Sequence, residues 1–144
     1  MTVFASLASP SSRGSVTLAS ASPFDPPLID PAFLNTTFDI YTMRYALRAA
    51  ARFVTAPTWD GFVVGQGADF ANVTLSSDAE VDAWARSQGG TISHPTGGAQ
   101  MGSCDDGWSV VDPDLRVKGT KGLRVVDASV FVRNFSLRHS SIDC

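Results

Sequence analysis

The sequence has 144 residues, of which 44% are hydrophobic and 17% are charged, so it can bury one modest core and does not resemble a disordered or fibrous chain. The net charge of -3 disfavours nucleic acid as a partner, because phosphate binding needs clustered basic side chains. No apolar run approaches the roughly 20 residues that span a bilayer, which predicts that a membrane is not a partner either.

The beginning of the chain is predicted to contain one strand between irregular segments. Residues 1–10 are mostly small or polar and are interpreted as an irregular lead-in. Residues 15–20 alternate apolar and hydroxyl side chains, which predicts a half-buried strand. The stretch 22–31 contains four prolines, and we therefore expect no regular element to run through it.

Two amphipathic helices are predicted next. Over residues 39–55, apolar side chains recur at spacings of three and four and form one face. Another face carries three arginines at intervals of four, namely Arg44, Arg48 and Arg52. An anion site is one interpretation of them, but a solvated face or partners for acidic groups elsewhere is favoured. The second helix is expected to begin at Ser77, which forms a capping box with Glu80, and to end at residues 89–90, a glycine pair.

The most informative stretch is residues 94–102, His-Pro-Thr-Gly-Gly-Ala-Gln-Met-Gly. It sets an imidazole beside a glycine pair, where backbone can approach a flat ligand closely without intervening Cβ atoms. The runs 108–119 and 122–130 are punctuated by Gly and Pro, which predicts short extended segments joined by turns. From the residues alone, a structural or exposed role for His94 is favoured over a catalytic one, because base chemistry needs a defined geometry.

These motifs together resemble the C-terminal signature of the glucose-methanol-choline (GMC) flavoprotein oxidoreductases. The resemblance is carried, in the family's order, by SSRGSVTLAS at residues 11–20, PPLIDP at 26–31, HPTGGAQMG at 94–102 and GWSVVDPDLRVKGTKGLRVVDASVF at 107–131. It is strongest to fungal aryl-alcohol oxidases and pyranose dehydrogenases. It implies an α+β fold in which helices flank an antiparallel sheet: a substrate-domain segment and the return to the FAD domain, without the N-terminal Rossmann-like part.

The resemblance also implies a division of the chain. Residues 1–10 are the lead-in, residues 11–131 the GMC C-terminal domain, and residues 132–144 a tail that departs from the family. Because Val-Arg at the start of the tail can be encoded by a typical intron donor site, we hypothesise that the tail is intron sequence read in frame. The family's second active-site position is not carried over onto His139, since the flanking pattern is missing.

A catalytic role for His94 is what the resemblance implies. In similar enzymes the histidine of this motif takes the hydroxyl proton while hydride passes from the alcohol carbon to flavin N5, and imidazole suits that task near neutral pH. Ser93 stands where aryl-alcohol oxidases have a bulky aromatic residue, which disfavours an aromatic substrate and leaves a sugar open. No metal is expected, because no zinc-type ligand spacing surrounds His94 and Cys104.

The cofactor implied by the resemblance is FAD, and two short segments are expected to bind it. Gly97 and Gly98 stand where the family usually has Gly-Thr, which removes a hydroxyl and adds backbone freedom. Asp127, Ala128 and Ser129 match the segment that passes the cofactor, where a carboxylate suits a ribityl or ribose hydroxyl. From the residues alone, a turn or cap role is favoured for the aspartate.

The parent protein is expected to oxidise CH–OH groups of alcohols or sugars, whereas this chain alone, lacking the N-terminal FAD-binding domain, is expected to be largely inactive. Sequons at Asn35, Asn72 and Asn134 lean mildly towards a secreted, glycosylated parent, although chance explains them about equally well, and this chain itself is expected to carry no signal peptide. Cys104 and Cys144 either pair or stay free. The alternatives are an inert gene fragment, a small secreted binding module, or a chain that pairs with a separately encoded flavin domain.

Overall fold

The computed structural model describes residues 2–65 and 67–132, and these fall into two compact units that meet in sequence between Gly90 and Thr91. We call residues 2–90 the helical unit and residues 91–132 the loop unit. The predictions about Asn134, His139 and Cys144 lie outside the described residues.

The helical unit begins with a two-stranded antiparallel sheet of β1 (Ser15–Thr17) and β2 (Leu28–Asp30), in which Val16 pairs with Ile29. The expectation of a half-buried strand over 15–20 is wrong, because β1 is shorter and exposed throughout. The expectation that no element runs within 22–31 is also wrong. The three residues of β2 fit between two prolines, and a strand at the edge of a sheet tolerates prolines at its ends.

A glycine just before β1 allows the backbone there to lie close to the end of β2. A Cβ atom on Gly14 would collide with the carbonyl oxygen of Asp30 and with the backbone of Pro31. Because that obstacle is backbone, it cannot move aside as a side chain could. Gly14 therefore fixes how the segment before β1 passes the end of β2.

The helices of this unit are α1 (Thr37–Val54), the four-residue α2 (Ala68–Ala71) and α3 (Asp78–Gln88), and a 3₁₀ turn follows α1 at Pro57–Trp59. The two predicted helices are thus confirmed within about two residues at each end. The Ser77 side chain accepts from the Glu80 amide (3.3 Å), as a capping residue does. The reciprocal bond of a capping box is absent, because the Glu80 carboxylate accepts from the Thr74 amide instead (2.9 Å).

The helical core lies between α1 and α3. Its buried members are Leu34, Ile40, Leu47, Val81 and Ala85. Edge-on packing of Phe70 and Trp84, with ring centroids 4.7 Å apart, extends it towards α2. Leu47, Val81 and Ala85 come from the predicted apolar faces, whereas Leu34 precedes α1. Burial of this cluster holds the two long helices together.

Ion pairs along one side of the helix pair join α1 to α3. Arg44 donates to both carboxylate oxygens of Asp82 (2.7 Å each) and also pairs with Asp78. Arg48 pairs with Asp78 (2.6 Å) and donates to the Leu75 carbonyl oxygen (2.7 Å). Arg44 thereby holds the pKa of Asp82 below its ordinary value. The interpretation of these two arginines as partners for acidic groups elsewhere is confirmed.

A buried carboxylate fastens the segment that precedes β1 to the start of α1. Asp39 accepts from the amide (2.7 Å) and hydroxyl (2.8 Å) of Ser11 and from the amide of Ser12 (2.8 Å). Burial alone raises the pKa of Asp39, but the hydrogen bonds from Ser12 and Ser11 outweigh it and lower the pKa to about 2. The Ser12 hydroxyl in turn accepts from the amides of Asn35 and Thr36 (3.0 and 3.2 Å).

The loop unit contains isolated bridges rather than full strands. Its antiparallel bridges join Val111 to Val117 and Arg116 to Arg124, and a parallel one joins Met101 to Val111. Positive φ angles at Leu115, Gly119 and Gly122 (64°, 75° and 78°) turn the chain after each short extended piece. The predicted short segments joined by turns are therefore present, each only a residue or two long.

Candidate functional site

The stretch predicted to carry the chemistry is joined to the stretch predicted to pass the cofactor. The Ala99 amide donates to the Ser129 carbonyl oxygen (3.0 Å), and the Met101 amide donates to that of Val130 (2.9 Å). On its other side, the Gly102 amide donates to the Val111 carbonyl oxygen (3.1 Å). Residues 99–102 are thus held between two other segments of the loop unit.

Gly97 and Gly98 occupy the turn before this anchored segment. Gly97 has φ +80°, a conformation that L side chains rarely adopt, and an added Cβ would lie 3.3 Å from the Gln100 side-chain nitrogen. At Gly98 an added Cβ would meet only the Ser129 Cβ, at 4.0 Å. The backbone at Gly98 is therefore accessible at an open surface, as close approach to a flat ligand requires.

His94 is exposed, and within residues 2–65 and 67–132 nothing hydrogen-bonds its imidazole. Both ring nitrogens are therefore available to a ligand. The residue before it, Ser93, has φ +63° and is one of four non-glycine residues with a positive φ in the described part of the chain. The Ser93 amide donates to the Thr91 hydroxyl (2.9 Å).

Asp127 caps a short turn, which agrees with the role that the residues alone favour. It is the N-cap of the 3₁₀ turn Ala128–Val130, and its Oδ1 accepts from the Ser129 amide (2.8 Å). This hydrogen bonding from Ser129 lowers the pKa of Asp127. Asp127 and Ala128 are exposed and Ser129 is half-buried, so the ionised carboxylate still has an oxygen facing solvent.

A lysine–aspartate cluster beneath this region was not predicted from the sequence. The Lys118 ammonium donates to the carbonyl oxygens of Ser103 (2.6 Å) and Asp106 (2.9 Å) and to Asp106 Oδ1 (3.0 Å), which uses all three of its protons. Burial alone raises the pKa of Asp106, but the bonds from Ser109 and Lys118 lower the pKa to about 2. The sequence feature that could have indicated this cluster is the abundance of turn-forming residues over 102–107.

The structure thus brings together four of the predicted cofactor residues as two segments, 97–98 and 128–129, side by side. Asp127 immediately precedes the second segment, and His94 lies three positions before Gly97, where the first begins. The assignment of these six residues to catalysis and cofactor binding stays a prediction.

The described residues offer little support for other kinds of site. Among residues 2–65 and 67–132, no cluster of three or more His, Cys, Asp or Glu side chains could hold a metal ion. In the same part of the chain, no helix has both the length and the apolar character to cross a membrane.

The structure places a glycine turn beside the Asp-Ala-Ser segment in a small α+β chain. The resemblance of the motifs implies this arrangement for one class of flavoenzymes. Residues 10–139 match the C-terminal family of GMC oxidoreductases. The chain belongs to the GMC oxidoreductase family. The resemblance drawn from the motifs, and with it the expected fold class, is confirmed.

Individual relatives agree with this assignment. The chain is 43% identical over 119 residues to a pyranose dehydrogenase of Agaricus campestris, which covers 83% of this chain and 20% of that protein. It is 42% identical over 121 residues to an alcohol dehydrogenase (acceptor) of Pseudomonas putida, covering 84% and 21%. The structure of an Aspergillus oryzae formate oxidase variant, solved to study FAD modification, superimposes with a TM-score of 0.74 at 34% identity, covering 86% and 21%. The chain therefore spans about a fifth of the length of these relatives.

Proposed function

We propose that the protein to which this chain belongs oxidises CH–OH groups of sugars or alcohols with FAD as cofactor, and that His94 is the base. The observation that carries the proposal is the exposed imidazole of His94 ahead of a glycine turn anchored to the Asp-Ala-Ser segment. In this role His94 accepts the hydroxyl proton of the substrate at a ring nitrogen. A positioned base of this kind typically contributes about 10²–10⁴-fold in rate.

The residues expected to hold FAD fit that group. Open backbone at Gly98 and the left-handed turn at Gly97 leave room for a flat ring system, because no Cβ atom projects there. The solvent-facing oxygen of Asp127 suits a hydroxyl of the ribityl or ribose part, while the Ala128 side chain is too small to obstruct it. When bound, the flavin supplies the hydride acceptor, and the chain supplies binding, orientation and the base.

The substrate class is proposed from the relatives' names, which include pyranose and alcohol dehydrogenases. We also propose the division into residues 1–10, 11–131 and 132–144, with the middle part as the functional domain. A separate N-terminal FAD-binding domain is its proposed partner. Secretion of the parent and N-glycosylation at Asn35 and Asn72, both exposed, are further parts of the proposal.

A chimera tests the catalytic role. Residues 11–131 replace the corresponding segment of the Agaricus campestris pyranose dehydrogenase, and bleaching of the flavin absorbance by sugars and alcohols is recorded. His94→Ala and His94→Gln are expected to retain the yellow cofactor and to lose about 10²–10⁴-fold in the bleaching rate. Undiminished bleaching in both variants would remove His94 from the mechanism.

A mixing experiment tests the cofactor and partner proposals. The purified chain is measured alone and together with the N-terminal four-fifths of the same pyranose dehydrogenase. We expect bound flavin in the mixture and none in the chain alone, because the chain carries only one side of the proposed site. Absence of bound flavin from both the chimera and the mixture would contradict the proposed FAD contacts.

A further inference from the structure

Three arginines lie along α1, and the third differs from the other two in having no acidic partner. Arg44 and Arg48 pair with aspartates of α3. Arg52 is exposed, and no carboxylate in the described part of the chain pairs with it. Its guanidinium lies over the ring of Tyr45 instead, 5.9 Å from the centroid. Arg52 therefore presents a positive charge that the described residues do not neutralise.

The same side of α1 carries three exposed aromatic residues. Phe38, Tyr41 and Tyr45 are 58%, 63% and 62% exposed. Their spacings of three and four place them in one row along the helix, and Arg52 continues the row two turns after Tyr45. Because an aromatic side chain offers about 150–250 Å², the open aromatic surface of the row is roughly 300–450 Å². We call Phe38, Tyr41, Tyr45 and Arg52 the aromatic stripe.

The aromatic stripe has the composition and the support of a protein-binding surface. Contiguous apolar patches of this size on soluble proteins are often functional. Tyrosine and arginine are enriched among the residues that dominate binding energy at interfaces. The opposite side of α1 is packed in the helical core, so the stripe stands on an element that is held in place. Beside Arg52, a cavity of about 340 Å³ lies between α1 and residues 75–76 and offers space for a partner's side chain.

We propose that the aromatic stripe is the docking face for the N-terminal part of the parent protein, and that Arg52 meets a carboxylate of that part. The length of the relatives identifies this occupant. The family match includes all of α1, yet the chain spans only about a fifth of the relatives, so most of the parent lies outside this structure. Docking would remove the aromatic surface from water and supply the counter-charge that Arg52 lacks. It rests on the proposed partner domain, but not on the roles proposed for His94 and FAD.

Tyrosine nitration measures the docking directly, because Tyr41 and Tyr45 are the two tyrosines of the chain. The 144-residue chain and the pyranose dehydrogenase chimera are treated with tetranitromethane, and peptide mass mapping gives the nitration rate at each position. We expect both tyrosines to react at least about tenfold more slowly in the chimera, because a docked face is reached only when it opens. Added N-acetyltyrosinamide controls for the reagent. Equal rates in the chain and the chimera would overturn the proposal.

Two matched pairs of substitutions test which groups hold the docked face. Tyr41→Ser removes a ring that Tyr41→Phe keeps, and Arg52→Gln removes a charge that Arg52→Lys keeps. In the chimera, Tyr41→Ser and Arg52→Gln should speed the nitration of Tyr45 about 3- to 10-fold relative to the same variant of the isolated chain. Tyr41→Phe and Arg52→Lys should retain the protection. If Tyr41→Ser and Arg52→Gln leave Tyr45 as protected as before, the stripe does not hold the two parts together and the proposal fails.

The outcomes separate the docking from the proposed function. A chimera that bleaches with substrate, but whose Tyr41 and Tyr45 react as fast as in the isolated chain, refutes the docking alone. Protected tyrosines in a chimera without bound flavin or bleaching support the docking and contradict the proposed function. Slower nitration of the isolated chain as its concentration rises would show that a second copy covers the stripe, which overturns the proposal. The same protection is expected in the mixture with the N-terminal four-fifths, where the result does not depend on how the chimera folds.

Discussion

The helical unit and the loop unit each bury one valine completely, but the two valines are held in different ways. Val81 of α3 and Val111 of the loop unit both have 0% exposure. Val81 belongs to a cluster of buried apolar side chains from α1 and α3. Val111 takes part in two β-bridges. Its amide donates to the Gln100 carbonyl oxygen (3.3 Å), and its carbonyl oxygen accepts from the Gly102 amide (3.1 Å).

The comparison shows how a short chain builds two units by different means. The helical unit uses periodic side chains, which bury apolar area between two helices. The loop unit relies on backbone hydrogen bonds and on residues whose conformation or size permits close approach. A site that must present open backbone to a flat ligand needs the second kind of construction, because side-chain cores cover the backbone. We therefore expect the loop unit to be sensitive to small steric changes and the helical unit to lost polar and apolar contacts.

The largest expected effect is a single added methyl group in the loop unit. A Cβ on the buried Gly102 would collide with the Asp106 carboxylate and lie 2.7 Å from the Ser109 Cβ. Asp106 cannot move aside easily, because the Ser109 amide (2.9 Å) and Lys118 (3.0 Å) hold it. We expect Gly102→Ala to destabilise the loop unit by about 3 kcal/mol, at the upper end for overpacking.

Hydrogen exchange measures this by unit. The amides of Met101 and Val130 should lose protection in Gly102→Ala, while that of Val81 in the helical unit changes less. Gly107→Ala is the matched control, because a Cβ there meets nothing within 4 Å. Equal effects of the two substitutions would contradict the steric account of the loop unit.

The next largest effect is expected in the helical unit. Asp39→Asn replaces an ionised acceptor of three hydrogen bonds by an amide whose NH2 group faces either the Ser11 amide or the Ser12 amide as a second donor, at a cost of about 2 kcal/mol. Because the pKa of Asp39 is lowered from 3.8 to about 2, its contribution is present above pH 3.8 and is lost as pH falls towards 2. Linkage gives about 2 kcal/mol for this loss.

Acid unfolding of both chains is the measurement. The wild type should lose stability between about pH 4 and pH 2, and Asp39→Asn should lose less over the same interval. Asp60→Asn, at an exposed helix cap, is the control. The same acid sensitivity in Asp39→Asn and the wild type would show that the segment at Ser11 and Ser12 is not held by this carboxylate.

The contrast between the units also explains what could be predicted from the sequence. The periodic helices and the Ser77 cap depend on residues within one or two turns of each other, so their pattern is visible in the chain. The same holds for the glycine turn at residues 97–98. β2 was missed because its prolines mark the ends of a very short strand, which three residues of sequence do not reveal.

The geometry around the candidate site depends on pairs that are far apart in sequence. Lys118 and Asp106 are 12 positions apart, and no periodicity links them. The left-handed conformation of Ser93 (φ +63°) is also invisible in the sequence, because serine has no special preference for it. The motif therefore predicted which residues form the site, whereas the means of holding them required the structure.

A smaller effect is expected when the Lys118 ammonium is removed. Lys118→Met leaves the carbonyl oxygens of Ser103 and Asp106 without their donor, and the loss of these two hydrogen bonds is worth about 1 kcal/mol. The pKa of Asp106 should also rise towards its ordinary value, because one of the groups that lowers it is gone. NMR titration of that carboxyl and the urea midpoint measure the two effects. Lys121→Met, which removes an exposed ammonium from the same turn region, is the matched control.

The smallest effect is expected when an exposed ion pair of the loop unit is removed. Arg116 and Asp114 lie 3.3 Å apart, but their side chains are 58% and 68% exposed, so water and salt screen the attraction. Arg116→Ala should change the free energy of unfolding by less than about 0.5 kcal/mol, and 1 M salt should abolish even that difference. Its main-chain bond, from the Arg116 amide to Asp112 (2.9 Å), survives the substitution. A loss as large as that of Lys118→Met would mean that surface charge, rather than backbone bonding and close packing, holds this unit together.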